Sequence, residues 1–371
     1  MKNSPYNLIF AVLLVGATFV FAEQQGITKS YKVSKGVTLD VSVNPGDIII
    51  KSWDKNEISF NSKDMDANDW RNVEFKEIDN TLYFNFRPKK GWGNFTFFVP
   101  SVTHLRLRTT NGDIELKNKI TGDVDLRTSG GDLITNEIQG RLTASTSGGD
   151  IHLGDISGPI NVNTSGGDII IGSVSGNNAE VNTMGGDIQI IGTEGNLNAK
   201  TYGGDITIGD IGGNAFVTTF GGDVELKNVS GKAIMETYGG DISLLSANGH
   251  VSAETKGGDI SLKNVKGSLD AKTSGGSIYA ELDPAHSGQS NLKSANGQIE
   301  LRLSPSSKVD IDALIKMRGS HEQGSRIYTD FGGKTNLEKN KNTISYKTAI
   351  NGGGQQINIS TTNSDIIIKK K

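Results

Sequence analysis

Thr201-Tyr202-Gly203-Gly204-Asp205-Ile206-Thr207-Ile208-Gly209-Asp210-Ile211-Gly212-Gly213-Asn214-Ala215-Phe216-Val217-Thr218-Thr219-Phe220-Gly221-Gly222-Asp223 holds one full period of this chain: Asp205 and Asp223 mark the same point of successive units, and the pattern leading into the first returns before the second. With Asp205 as position zero, Ile206, Ile208, Ile211, Ala215 and Val217 fall at offsets 1, 3, 6, 10 and 12, Gly213 at 8 and Thr219 at 14. The runs at 1 and 3, and at 10, 12 and 14, alternate with a period of two, which is strand spacing and not helix spacing. Each unit therefore reads as two short strands plus a brief third side around offset 6. Gly-Gly before the aspartate and Gly at offset 8 mark corners, where a positive φ or a close backbone approach would penalise a Cβ.

The same frame extends in both directions. Asp113, Asp132, Asp150, Asp168, Asp187, Asp205, Asp223, Asp241 and Asp259 follow one another at intervals of 19, 18, 18, 19, 18, 18, 18 and 18. All but Asp113 follow Gly-Gly, and Ser277 takes the next position. One unit buries a single layer of small aliphatics and cannot be stable alone, whereas stacked units share a core and satisfy their backbone groups along the axis. The expected fold is all-β: a single-stranded parallel β-helix (solenoid), right-handed, with about 18 residues per coil and β-rich caps at both ends. Ten such coils make a rod about 50 Å long. A left-handed hexapeptide helix would need an apolar residue every six positions. A calcium-binding β-roll would need its glycine-aspartate consensus in both half-coils, and the second half here has none.

Composition agrees. The 371 residues include 48 Gly, 7 Pro and no Cys, with a formal charge of −3. Glycine interleaved periodically with Ile and Val argues for order. No block of like charge points to nucleic acid or an anionic membrane, and without cysteine, stacking must supply the stability. At the start, Lys2 precedes an apolar run from Leu8 to Ala22, followed by Glu23-Gln24-Gln25. This reads as a secretory signal peptide cleaved near Ala22, leaving no membrane span and placing the mature chain in the periplasm, at the cell surface or outside the cell. The domain reading is 1–22 signal peptide, 23–104 N-terminal β cap and first irregular coils, 105–284 regular solenoid, and 285–371 degenerate C-terminal solenoid and cap. All three tryptophans, Trp53, Trp70 and Trp92, fall in the N-terminal part. Lys63 to Arg71 reads as a polar excursion, and Arg318 to Ser325 as a mobile loop.

The Thr-x-Gly-Gly-Asp-Ile units resemble the bacterial "putative adhesin" family, a domain of unknown function built of β-strand repeats. Asn44-Pro45-Gly46-Asp47-Ile48, Thr109-Thr110-Asn111-Gly112-Asp113-Ile114 and Ser360-Thr361-Thr362-Asn363-Ser364-Asp365-Ile366 extend the likeness over essentially the whole mature chain, with Ser364 departing from the glycine pattern. The resemblance implies a secreted or envelope-exposed binding scaffold without catalytic activity, whose partner is a cell-surface glycan or an envelope protein.

Two residue columns follow from the frame. Stacked carboxylates from Asp113 to Asp259 would repel by about 1 kcal/mol per adjacent pair in water. Short acidic side chains at turns accept backbone N–H bonds, so the column reads as a structural turn ladder and not as a calcium site, which would need six to eight oxygens. The residue before Gly-Gly is Ser in the early coils, then Met184, Tyr202, Phe220 and Tyr238, then Lys256 and Ser274. Because offset 14 faces inward, its successor faces out. Met184, Tyr202, Phe220 and Tyr238 are therefore the candidate ligand-binding ladder, set against the simpler reading in which stacked rings only shield glycine turns.

Enzyme chemistry has little footing. His104, His152, His250, His286 and His321 are scattered without metal-ligand spacing, no Gly-x-Ser-x-Gly elbow occurs, and neither metal nor cofactor is expected. His152 and His250 lie at different offsets of their coils, so they do not stack into one site, and each reads as a solvated surface residue. The rival reading, a polysaccharide lyase or glycosidase, rests on fold analogy and on Glu236 with Glu254, two carboxylates at related offsets of neighbouring coils. A purely structural envelope protein is the third.

Overall fold

The computed structural model describes residues 28–371 apart from 63–64, 66–68, 88–90, 285–287, 319–323, 334 and 339–341. The expected signal peptide, His286, His321 and most of the expected 318–325 loop lie outside the described residues, as does much of the 63–71 excursion; a 3-10 turn covers Asp69–Asn72.

The chain is a β-solenoid of two long, mainly parallel sheets. Offsets 1 and 3 of each coil enter one sheet and offsets 10 to 13 the other, as in Ile206–Ile211 and Ala215–Thr218. Ile206 pairs with Val224 and Ala215 with Ala233, each with its counterpart in the next coil. The two longer intervals, Asp113 to Asp132 and Asp168 to Asp187, do not disturb this phase, because each extra residue is absorbed in a corner. Ile156 pairs with Val174 but Ile160 with Ala179, so the insertion after Asp168 lies between Val174 and Ala179. A slip inside a strand would instead have turned its aliphatics outward.

All five apolar offsets are buried: in the coil beginning at Asp150, Ile151, Leu153, Ile156, Ile160 and Val162 are each at most 5% exposed. The inward Thr column is buried as well. The expected third side needs correction. At Ile120–Thr121, Ile138–Gln139 and Ile156–Ser157 it is a separate two-residue strand. From Ile169–Val174 onward offsets 1 to 6 form one continuous strand of the first sheet. In the early coil Asn136 breaks the run locally, its Oδ1 accepting the Glu137 N–H and its Nδ2 donating to the Lys117 carbonyl.

The ends are not stacked in chain order. Ile48–Trp53 lies between Ile114–Leu116 and Phe95–Pro100, and Val37–Val43 between Thr103–Arg108 and Thr81–Phe86. The C-terminal end repeats the device: Ile366–Lys370 lies between Ile299–Leu303 and Ile327–Thr329, and Gln355–Thr362 between Gln289–Ser294 and Val309–Lys316. The coil nearest each terminus is thus held inside the stack while neighbouring sequence covers it. Among the described residues three of the four outermost pairings are antiparallel, Thr28–Lys32 on Glu57–Asn61, Val73–Ile78 on Thr81–Phe86, and Thr335–Glu338 on Thr343–Ile350, while at the fourth the short Ile327–Thr329 pairs parallel with Ile366–Lys370. Antiparallel edge strands interrupt the parallel template that would otherwise invite end-to-end growth.

Below the N-terminal covering the aliphatic core becomes aromatic. Phe84 meets Phe95 and Phe97 edge-on at 4.8 and 5.1 Å, Phe60 lies 5.5 Å from Phe97, and Tyr31 stacks on Phe75 at 3.9 Å. At the other end Lys371 reaches Glu281 and Asp283. Tyr279 donates to Glu281 at 2.5 Å, and burial together with that carboxylate pushes the Tyr279 pKa up to about 12.

Candidate functional site

The Gly-Gly-Asp corner is built from three hydrogen-bonded columns. In the first, from Thr128 to Thr273, each buried Thr Oγ1 donates at 2.8–3.0 Å to the carbonyl of the second glycine one coil earlier. The same oxygen accepts, at 3.2–3.4 Å, the N–H of the second glycine of its own coil.

The second column is that glycine itself. A Cβ on Gly131, Gly149, Gly167, Gly186, Gly204, Gly222, Gly240, Gly258 or Gly276 would stand 2.0–2.2 Å from a backbone carbonyl oxygen one coil earlier. None of these glycines has a positive φ. Of the two sequence-based reasons for glycine, close approach is therefore the one that operates here.

In the third column each Asp Oδ1 accepts the backbone N–H of the equivalent residue one coil later, at 2.7–2.9 Å from Asp113 through Asp259, whose donor is Ser277. Asp47 joins the foot of the column, accepting the Asp113 N–H at 3.0 Å, although 66 residues separate them. Where Ser364 replaces the glycine, Asn363 adopts φ 53° and Ser364 Oγ donates to the Asn296 carbonyl at 2.6 Å. Asp205→Asn keeps an oxygen acceptor and removes one of a row of like charges, so its melting temperature should equal or exceed that of the native chain. Asp205→Ala leaves the Asp223 N–H to water and should cost about 1 kcal/mol. Equal loss in both variants would show that hydrogen bonding is not what the column supplies.

Alongside this frame stands the aromatic ladder. Met184, Tyr202, Phe220 and Tyr238 are 56%, 48%, 38% and 46% exposed, so the corner faces solvent on four consecutive coils. Tyr202 and Phe220 stack with ring centres 4.9 Å apart and planes 7° from parallel; Phe220 and Tyr238 repeat this at 4.9 Å and 9°. The spacing is set by the backbone, since the Gly221 and Gly239 amides donate to the Tyr202 and Phe220 carbonyls, both at 3.1 Å. Lys200 Nζ lies beside the first two rungs, 4.7 Å from the Tyr202 ring centre and 5.9 Å from that of Phe220, and donates to the Tyr202 hydroxyl at 3.3 Å, while Lys256 Nζ covers Tyr238 at 3.9 Å. Five of the six ring faces are thus occupied, by one another and by the Lys256 ammonium. What remains for a partner is the Tyr202 face turned away from Phe220, a row of ring edges, two phenolic hydroxyls and the Met184 side chain.

Other candidates are not brought together. His152 is exposed. His104 and His250 are half-buried and bonded, which for His250 corrects the solvated reading. His104 Nδ1 accepts the Asp123 N–H at 3.0 Å, and His250 Nδ1 lies 2.7 Å from Ser268 Oγ. Glu236 and Glu254 are cross-strand neighbours, but Glu254 is ion-paired with Lys272. Among the described residues no three His, Cys, Asp or Glu side chains are grouped to hold a metal ion, and no helix is long and apolar enough to cross a membrane.

A second set of side-chain acceptors was not singled out from the sequence. Asp123, Asp155, Asn196 and Asn214 accept the N–H groups of Arg141, Ser173, Asn214 and Lys232 at 2.8–3.0 Å. An Asx residue at those corners was the available signal, but it occurs in some coils and not in others.

Stacked corners, an inward Thr column and an outward ring column define a β-solenoid whose architecture is repetitive and whose exposed chemistry is local. The chain belongs to the Toastrack DUF4097 family, whose model matches residues 160–369, more than half of its length. No curated protein matches it. Similar solved structures include a "putative cell adhesion protein" from Clostridium sporogenes, 10% identical over 94% of this chain and 100% of that one, with a TM-score of 0.17. A "putative adhesin" from Bacteroides fragilis is 14% identical over 93% and 96%, at 0.21. One from Parabacteroides distasonis is 12% identical over 75% and 98%, at 0.29.

Proposed function

We propose that this protein is an exported, adhesin-like binding scaffold, a right-handed solenoid that presents the corner formed by Met184, Tyr202, Phe220 and Tyr238 to a protein partner at the cell envelope. The observation that carries this reading is the exposed, regularly stacked ring column, three rings in register on consecutive coils beside Met184. Apolar strips rimmed by polar residues mark interaction surfaces. The stacking geometry favours a protein partner over a glycan at this strip. Sugars stack on free ring faces, and five of the six faces here are already filled. Export rests on the Leu8 to Ala22 apolar run.

Replacing Tyr202, Phe220 and Tyr238 together with Ser tests the proposal. Two lost ring pairs cost about 1–3 kcal/mol, which the continuous core absorbs, so circular dichroism should stay native while capture of envelope proteins falls to background. Undiminished capture by the folded triple variant would return the ladder to a shield over glycine turns.

A further inference from the structure

We infer that the N-terminal end of the solenoid carries a second, separate site: a pocket for a single neutral sugar unit on the outer face of the second sheet. Three adjacent strands, Val37–Val43, Thr81–Phe86 and Val73–Ile78, place two rows of outward side chains there. Asp40, Tyr83 and Lys76 are cross-strand partners in one row, and Ser42, Asn85 and Glu74 in the other. Together they line a cavity of about 460 Å³, within the range that small-molecule sites occupy.

Three features specify the ligand. The floor already lacks a partner: Asn85 Oδ1 is buried with no hydrogen bond among the described residues, an acceptor that a hydroxyl would satisfy. The charges cancel, because Arg108 holds Asp40 at 3.0 Å, with Arg106 at 4.0 Å, leaving Glu74 and Lys76 as one carboxylate and one ammonium on the rim. Donors and acceptors crowd one small space beside the half-buried Tyr83 ring, over which Lys76 Nζ lies at 5.4 Å, so a ligand is held there through hydroxyls, the groups that a polyhydroxylated ring supplies. An anion or a cation would meet an opposing charge on either side; a neutral sugar meets hydrogen-bonding groups throughout. The nearest member of the aromatic ladder lies far along the chain, at Met184, so the site is independent of the corner.

Ligand-observed NMR titrations of the full mature protein with glucose, galactose, mannose and N-acetylglucosamine test this, with glycine as a zwitterionic control. At least one sugar should bind in the millimolar range, and Asn85→Ala and the rim variant Glu74→Ala should each weaken it by up to about tenfold, the loss expected for one hydrogen bond. Glu74 is exposed, so its variant remains informative even where Asn85→Ala perturbs folding. The Tyr202, Phe220 and Tyr238 triple Ser variant should keep sugar binding intact, which separates failure of this site from failure of the corner. No binding by any of the four sugars, binding of glycine alone, or sugar binding untouched by Glu74→Ala would overturn the inference.

Discussion

Gly149→Ala should destabilise the protein by about 3 kcal/mol or more, while Gly148→Ala, one residue earlier in the same triplet, should change stability by no more than about 0.5 kcal/mol. The contrast follows from what a Cβ would meet. At Gly149 it would stand 2.0 Å from the Gly131 carbonyl oxygen and 2.8 Å from Asp132 Oδ1; at Gly148 nothing lies nearer than 3.8 Å. The obstructing atom at Gly149 is backbone, held by the Thr146 hydroxyl at 2.9 Å, so relief requires the two coils to separate. At Gly148 the methyl enters ordinary contact distance, and alanine also restricts the unfolded chain, which favours folding slightly. Urea unfolding followed by circular dichroism measures both. Equal effects would mean that the corner owes its glycines to something other than coil-to-coil approach.

Thr219→Val should cost about 2–4 kcal/mol, the loss expected when two buried backbone groups go unpaired, although the two side chains are nearly the same size. Thr219 is fully buried, donates to the Gly204 carbonyl at 2.8 Å and accepts the Gly222 N–H at 3.4 Å. Valine fills the space and leaves both groups without the partner that the buried hydroxyl supplies. Thr219→Ser keeps the hydroxyl and gives up only a methyl, for about 1 kcal/mol. A valine variant as stable as the serine variant would show that packing, not the bridge, is what the column contributes.

Much of this was legible because the repeat is strict. Once Asp205 and Asp223 define a period, alternation assigns Ile206, Ile208, Ala215, Val217 and Thr219 inward and Tyr202 and Phe220 outward, and stacking makes each side chain the neighbour of its counterpart. The likeness of Asn44-Pro45-Gly46-Asp47-Ile48 to the repeat corner was also visible. Its position directly beneath Asp113 was not, because the Asp47 contact bridges 66 residues.

The candidate strip shows the same division. That Tyr202, Phe220 and Tyr238 share one corner is a matter of counting. That five of their six faces are closed off by each other and by Lys256 depends on side-chain rotation, which no period encodes. The N-terminal pocket had no sequence signal at all, since Asp40, Glu74 and Asn85 meet only after Val73–Ile78 has turned back along Thr81–Phe86 and Val37–Val43 has slipped in beside it.

The amino-acid order alone determined the repeating coil, its two strands and inward column, and the side each residue faces, because those depend on interactions between neighbours one period apart. The order in which coils stack at the two ends, the use of Asp47 as the first rung and the pocket above Asn85 were decided only in three dimensions. There the pairing partners are chosen by burying exposed parallel edges, and the aperiodic terminal sequence specifies no single neighbour in advance.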